Sequence, residues 1–342
     1  MGDLVVMIGT PLEAEHVARL RAVCPRVTVL YEPDLLPATR YDQDHKGAAM
    51  GRSAAQERRW REMLSAAQVL WDLPAEGDVP FLGRLRWVQT TSTGVGPAVA
   101  RLGLAPDVVI TTARGVHAGP LAEFVFMALL AHFRELPRLL AEQAARRWER
   151  TCYTEVAGRT LVTIGAGDLA RGCANLARAL GMRVVAVARE PSKRRAHGDL
   201  FDAVVPVSQM HAALAGADAV VVTVPHTPAT ENMIDAAAFA AMRPGVAFVN
   251  IGRGAVVDED ALVAALRSGQ VGFAALDVAR EEPLPGDHPL WSAPNVLISP
   301  HSASTVSTEN RKIVDIFVGN LALWCAGREA EMRNILDTKL MY

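Results

Sequence analysis

Thr160-Leu161-Val162-Thr163-Ile164-Gly165-Ala166-Gly167-Asp168-Leu169-Ala170 is the stretch on which the fold turns. Its first five residues are apolar or β-branched and read as a buried strand. They run directly into G-x-G-x-x-A, and the residues after that repeat with helical spacing. Leu169, Cys173, Leu176, Ala177 and Leu180 recur at intervals of three and four, which predicts a helix over Asp168 to Leu180. A strand, a glycine turn and a helix in this order form the dinucleotide-binding fingerprint. Gly165 permits the tight turn, Gly167 lets a pyrophosphate approach the backbone, and Ala170 supplies the small side chain needed where helix meets strand. The helix N-terminus, with Asp168 and Leu169 in its first turn, offers N–H groups and a partial positive charge to phosphate.

About twenty residues further on, at the end of the next strand, such sites hold the adenosine ribose with an acidic residue. Here the chain reads Val187-Ala188-Arg189-Glu190, with Lys193, Arg194 and Arg195 close behind. Ala188 replaces the acid, and Arg189 suits a 2′-phosphate, which places NADP(H) ahead of NAD(H). The alternative is that Glu190 takes the ribose of NAD(H) and the basic residues form a solvated loop.

Working outward, strands are predicted at Arg183 to Ala188, Val204 to Val207, Ala219 to Val224, Ala247 to Ile251, Phe273 to Leu276 and Val296 to Ser299, most of them separated by helices. A similar series precedes the fingerprint: Leu4 to Ile8, Val27 to Tyr31, Val69 to Trp71, Trp87 to Thr91 and Val108 to Thr111, with a helix over Gln56 to Gln68. Alternating strands and helices argue for parallel sheets. Between the two series, helices over Leu121 to Phe133 and Pro137 to Trp148 are candidate connectors, and a long helix runs from after His301 to about Cys325. Domains are expected at 1–113 plus 310–342 and at 114–309.

Composition excludes several other functions. The 342 residues are 50% hydrophobic and 21% charged, as in folded globular chains. Thirty-five basic residues against 37 acidic ones give a net charge of −2, so no global basic field draws in nucleic acid or an anionic membrane. No apolar run approaches the ~18 residues of a membrane span. Met1-Gly2-Asp3-Leu4 opens without the basic and long apolar regions of a signal peptide. Cys24, Cys152, Cys173 and Cys325 are widely separated, with neither zinc-ligand spacing nor a disulfide framework, and are read as buried free thiols. These features predict a cytoplasmic protein with no metal.

The remaining polar signals gather at predicted strand ends: Pro225-His226-Thr227, Asn250-Ile251-Gly252-Arg253-Gly254, Asp277, and Pro300-His301. In open parallel sheets ligands bind beyond the carboxyl ends of strands. With Trp87-Val88-Gln89-Thr90-Thr91-Ser92-Thr93-Gly94-Val95, Leu276-Asp277-Val278 leading to Glu282-Pro283-Leu284-Pro285, His288-Pro289-Leu290-Trp291 and Ser299-Pro300-His301, these motifs occur in one order. In that order the chain resembles the D-isomer-specific 2-hydroxyacid dehydrogenase family.

The resemblance implies two doubly wound α/β domains, a Rossmann dinucleotide-binding domain and a flavodoxin-like, discontinuous substrate domain. It implies hydride transfer between NAD(P) and C2 of a 2-keto or D-2-hydroxy acid, here as a glyoxylate- or hydroxypyruvate-like reductase, in a homodimer. Arg253, Glu282 and His301 match the family's catalytic residues, and Asp277 matches the aspartate that holds the nicotinamide carboxamide. Thr93, Gly94, Val95 and Gly96, with Arg253, match the substrate-carboxylate site; Pro225, His226, Thr230, Ile251 and Gly252 complete the cofactor set. The chemistry agrees with those roles. Keto reduction consumes a proton, which histidine holds near neutral pH; a neighbouring carboxylate favours imidazolium; and arginine offers a fixed fork to a carboxylate and carbonyl. The alternative is a non-catalytic dinucleotide-sensing protein on the same scaffold. Departures from the family pattern are Thr93, where alanine is usual, and Ala279-Arg280, where a bulkier pair is usual; both are expected to alter pocket size and polarity.

Overall fold

The computed structural model describes residues 3–190 and 200–337. The chain divides into two compact units, Met1–Val116 with Thr305–Tyr342, and His117–Ser304.

In the first unit, strands β1 (Leu4–Ile8), β2 (Val27–Leu30), β3 (Val69–Trp71), β4 (Trp87–Gln89) and β5 (Val109–Thr111) form one sheet in the order β2-β1-β3-β4-β5. Every pairing is parallel. This is the flavodoxin-like winding. The helix Glu309–Cys325 supplies much of the core: Phe317 lies against Trp71 and Trp87, with ring centroids 5.5 and 5.0 Å apart, and Trp324 stacks on Trp87 at 5.4 Å. Beyond it the chain returns to the sheet edge, where Leu336 N donates to Ile110 O. Fully buried aromatic surface of this size explains why the unit needs both chain segments.

The second unit holds β6 (Thr160–Ile164), β7 (Arg183–Ala188), β8 (Ala203–Pro206), β9 (Ala219–Val222), β10 (Val246–Asn250), β11 (Val271–Leu276) and β12 (Val296–Ile298), in the order β12-β11-β10-β9-β6-β7-β8. All pairings are parallel. The chain winds outward in both directions from the β6/β9 neighbours, which is the Rossmann arrangement with its switch point there. Ala219, Val220, Val221 and Val222 are wholly buried, as a central strand covered on both faces requires.

Several predicted boundaries move for identifiable reasons. β9 stops at Val222, and just beyond it both the N–H and the hydroxyl of Thr223 donate to Ile164 O (3.0 and 2.8 Å). The segment expected as a helix over Pro137 to Trp148 is helical only over Leu136–Ala144. Glu135 and Arg146, both at positive φ, close it at either end, and Trp148 stands almost fully exposed. The preceding helix, Ala118–Phe133, is no mere connector: Leu121, Val125, Phe126 and Leu129 are buried in the second unit's core. It packs on Asp168–Ala179, whose inward stripe is Ala170, Cys173, Ala174 and Ala177, while Leu169, Leu176 and Leu180 flank it. Small residues let the helices approach closely; a Cβ on Gly172 would lie 2.7 Å from Ala118 O.

The reading of all four cysteines as buried thiols is corrected. Cys173 is buried, and burial pushes its thiol up to about 12. Cys152 is exposed, while Cys24 and Cys325 are part-exposed with Sγ atoms 2.7 Å apart. Helix Glu309–Cys325 lies beside helix Ala14–Arg21, bridged by Arg19 and Asp315, and so brings together thiols that are remote in sequence.

Candidate active site

β6 ends at Ile164, and Gly165 follows at φ +112°, a conformation that L side chains rarely adopt. A Cβ there would strike the Thr223 hydroxyl at 2.5 Å. Gly167 caps the helix Asp168–Ala179 without any side-chain cap, and a Cβ on it would meet nothing within 4 Å. The first glycine is therefore demanded by the protein's own packing. The second leaves open space before an uncapped helix N-terminus, the cradle that a pyrophosphate fills. Ala170, wholly buried, provides the helix-to-strand contact. Ala188 closes β7, with Arg189 and Glu190 exposed beyond it; Lys193, Arg194 and Arg195 lie outside the described residues.

Beyond β9, the Pro225–Thr230 turn is organised by Thr230. Its hydroxyl accepts from Thr227 N and donates to Pro225 O, both at 2.8 Å, so it shapes the turn through its own backbone contacts. His226 pairs with Glu231, which in turn binds Arg280.

β10 delivers the arginine. Asn250 accepts from Gly252 N (3.0 Å) and donates to Arg253 O (3.2 Å), pinning both ends of the turn that carries Arg253. A Cβ on Gly252 would lie 2.7 Å from Val224 O, and one on Gly254 would lie 1.9 Å from the backbone carbon of Ala279. Arg253 is thus mounted on a ribbon clamped between two other strand-end loops. Its guanidinium donates to Gly252 O (2.7 Å); burial lowers its pKa, opposed by the charges of Glu282 and Asp277. A guanidinium remains protonated regardless.

β11 delivers Asp277, only 2% exposed. Its Oδ1 accepts from Ser299 Oγ (2.7 Å) and from the N–H groups of Ser302 and Ala303 (both 2.9 Å). Burial nevertheless pushes the carboxyl above its ordinary value, with those bonds and His301 opposing. The loop after β11 carries Glu282, and the loop after β12 carries His301. His301 Nδ1 lies 2.7 Å from Glu282 Oε2, while Glu282 Oε1 accepts from Ala279 N (3.1 Å). Both side chains stay partly open, at 45% and 37% exposure. His301 holds φ +54°, an uncommon region for a residue with a Cβ and one that clusters at functional sites.

The family model for the D-isomer specific 2-hydroxyacid dehydrogenase NAD binding domain matches residues 126–303. A curated relative, the (S)-sulfolactate dehydrogenase of Chromohalobacter salexigens, is 35% identical over 221 residues, spanning 63% of this chain and 69% of that one. The chain belongs to the D-isomer specific 2-hydroxyacid dehydrogenase family. A solved family member from Aeromonas salmonicida superposes with TM-score 0.82 at 27% identity, covering 98% of this chain and 100% of that one. Another, from Xanthobacter autotrophicus in complex with NADPH and MES, gives 0.77 at 28%, with the same coverage. The fold and the dinucleotide-binding unit are those of NAD(P)-dependent 2-hydroxyacid dehydrogenases.

Within this dehydrogenase, Arg253, Glu282, His301 and Asp277 converge on the carboxyl-end edge of one sheet. Thr93, Gly94, Val95 and Gly96 lie in the first unit, after β4, where buried Val95 anchors the turn and Thr90 Oγ1 donates to Ser92 O (2.7 Å). Beneath them a buried relay runs from Trp87 Nε1 to Thr111 Oγ1 and on to Gln89 Oε1, each step 2.8 Å.

Three supporting residues escaped the sequence reading. Asn250 and Ser299 stand inside quoted motifs, but their side-chain bonds were not foreseen; Asn two residues before glycine was the available signal. Arg280 was expected to alter the pocket. Its guanidinium instead binds Glu231 (2.8 Å), Asn232 and Val257 O (3.2 Å), tying down the loop that presents Glu282. Among the described residues no helix is long and apolar enough to cross a membrane, and no group of three or more metal-ligating side chains gathers.

Proposed function

We propose that this dehydrogenase works as a 2-keto acid reductase on a small glyoxylate- or hydroxypyruvate-like acid, with Arg253, Glu282 and His301 as catalytic residues and NADP(H) preferred over NAD(H). The observation that carries the reading is the His301–Glu282 pair at 2.7 Å, beside a half-buried Arg253. The dinucleotide, when bound, supplies the hydride for C2 of the keto acid. Gly165, Gly167, Asp168 and Leu169 would hold its pyrophosphate, Pro225, His226, Thr230, Ile251 and Gly252 would border it, and the Asp277 carboxylate would take the carboxamide through Oδ2, since Ser299, Ser302 and Ala303 all bond to Oδ1.

His301 donates the proton to the keto oxygen through Nε2. Glu282 fixes the ring by holding Nδ1 and balances the imidazolium charge. Arg253 polarises the carbonyl and pairs with the substrate carboxylate, its partial burial strengthening both interactions. The Thr93–Gly96 turn of the first unit carries the family's substrate-carboxylate motif.

An absorbance screen of NADPH and NADH against glyoxylate, hydroxypyruvate, pyruvate and bulkier 2-keto acids tests the reading; turnover confined to bulky acids overturns the substrate class. For the cofactor, Arg189 is exposed at the end of β7 and Ala188 carries no acid to repel a 2′-phosphate. A charge-assisted bond contributes ~1.5–3 kcal/mol, or roughly 10–150-fold in affinity. Arg189→Ala should erase most of the NADPH preference in a binding titration, and tighter NADH binding by the unaltered chain overturns it. The setting is a cytoplasmic homodimer acting on small molecules, without nucleic acid or membrane partners. Exposed Leu136, Leu139, Leu140, Met127 and Trp148 supply its apolar interface.

A further inference from the structure

Cys24 and Cys325 sit 301 residues apart in sequence and 2.7 Å apart at Sγ. Cys24 lies in the turn after helix Ala14–Arg21, and Cys325 is the last residue of helix Glu309–Cys325. Neither is fully buried. Arg26, two residues after Cys24, donates from its guanidinium to Cys325 O, so a permanent cation is fixed beside the two sulfurs. A disulfide needs the sulfurs at ~2.05 Å, a closure of well under 1 Å from where they stand.

The two thiols are not equivalent. At Cys24, burial raises the pKa, but the bond from Cys325, the backbone N–H groups of Arg26 and Val27 and the Arg26 charge outweigh it, and the net direction is down. Burial pushes Cys325 up, and its place at a helix C-terminus, where the dipole is negative, acts in the same sense. One thiol is set up to react and the other to resolve. Cys173 is wholly buried, exposed Cys152 bonds its neighbour's carbonyl, and among the described residues neither has a partner thiol.

We propose that Cys24 and Cys325 form a reversible intrachain disulfide when the protein meets a hydroperoxide. The Cys24 thiolate attacks one peroxide oxygen; the O–O bond breaks, and the released hydroxide takes a proton, leaving Cys24 as sulfenic acid and one water. Cys325 sulfur then attacks the sulfenic sulfur. The S–S bond forms, the S–O bond breaks, and the leaving hydroxide takes the Cys325 proton as a second water. Two thiols and one hydrogen peroxide thus give one disulfide and two waters, and a dithiol reductant reverses the link. The bond joins the two chain segments of the first unit, Met1–Val116 and Thr305–Tyr342, adding a covalent link to packing, the Arg19–Asp315 pair and backbone bonds such as Leu336 N to Ile110 O.

The test uses the full chain carrying Cys152→Ser, so that no exposed thiol competes. It is treated with hydrogen peroxide under native conditions, alkylated and digested. Expected are a Cys24–Cys325 linked peptide, two hydrogens lighter than the sum of its parts, loss of two alkylatable thiols per chain, recovery with dithiothreitol, and a raised Tm for the oxidised protein. In Cys325→Ser, a dimedone adduct should accumulate at Cys24; in Cys24→Ser, Cys325 should remain an alkylatable thiol. Recovery of Cys24 and Cys325 alkylated after oxidation, either residue linked to another chain, or as much dimedone adduct in the Cys152→Ser parent as in Cys325→Ser overturns the proposal.

Discussion

His301 at φ +54° holds an imidazole against Glu282, and neither residue is needed to fill a core, since both remain partly open. Removing them should therefore harm chemistry more than folding. His301→Ala should lower kcat by about 10²–10⁴-fold, the usual contribution of a positioned acid, while leaving cofactor affinity near normal because the Gly165–Leu169 cradle is untouched. Glu282→Gln keeps a hydrogen-bond acceptor for the His301 ring but drops the charge beside it, so kcat should fall by less than in His301→Ala. An unchanged kcat in a folded, cofactor-binding Glu282→Gln variant would leave Glu282 a loop residue only. Asp277 presents the opposite balance. Its carboxyl is raised in the fold, so ionising it costs stability above the raised pKa, and the cost disappears below the unfolded-state pKa, where it is protonated in both states. Asp277→Asn should consequently raise Tm near neutral pH, with the gain shrinking as the pH falls, and yet weaken productive nicotinamide binding. A Tm that drops at neutral pH would mean the Ser299, Ser302 and Ala303 bonds matter more than the buried charge.

Arg253 owes its place to the elements around it. A Cβ on Gly254 would sit 1.9 Å from the carbon and 2.1 Å from the oxygen of Ala279, both backbone atoms that cannot rotate away. Gly254→Ala should displace the Ala279–Glu282 loop, lowering Tm by an overpacking cost of about 1–3 kcal/mol and kcat with it. Gly167→Ala is the contrasting case: its Cβ meets nothing of the protein, so Tm should hold while the dinucleotide Kd rises. Thermal melts and cofactor titrations on the two variants separate the roles, and equal Tm losses would contradict them. Most strands and the glycine turn were legible in the sequence because β-branched runs and G-x-G-x-x-A are local signals. What escaped depends on neighbours that no local pattern records. Glu135 ends a helical repeat through its own αL backbone, the inward stripe of Asp168–Ala179 is three alanines and Cys173 rather than leucines because another helix presses on it, and Arg280 faces loops brought in from β9 and β10.

At the scale of the whole molecule, the two series of strands and the last helix were readable in outline. The contact between Cys24 and Cys325 was not, because it exists only once helix Glu309–Cys325 docks. Quaternary structure poses the same problem in reverse, since the chain alone shows the surface and not what covers it. Helix Leu136–Ala144 has no buried residue, and Leu136, Leu139 and Leu140 line one face at helical spacing, with Leu140 57% exposed; Met127 and Trp148 add to the exposed apolar surface. Soluble chains seldom leave large side chains this concentrated in water unless something covers them. A second copy satisfies the face by two-fold symmetry, in which each residue is used twice. Burying a leucine contributes ~1.5–3 kcal/mol, so Leu140→Asp, acting on both protomers, should cost ~3–6 kcal/mol of association, roughly 10²–10⁴-fold in Kd. Sedimentation velocity should show the unaltered chain as a dimer at micromolar concentration and Leu140→Asp shifted to monomer, with its Tm little changed because Leu140 supports no core within its own chain. A parent that sediments as monomer would overturn the dimer, and an early-melting variant would show that Leu140 supports its own chain's fold instead.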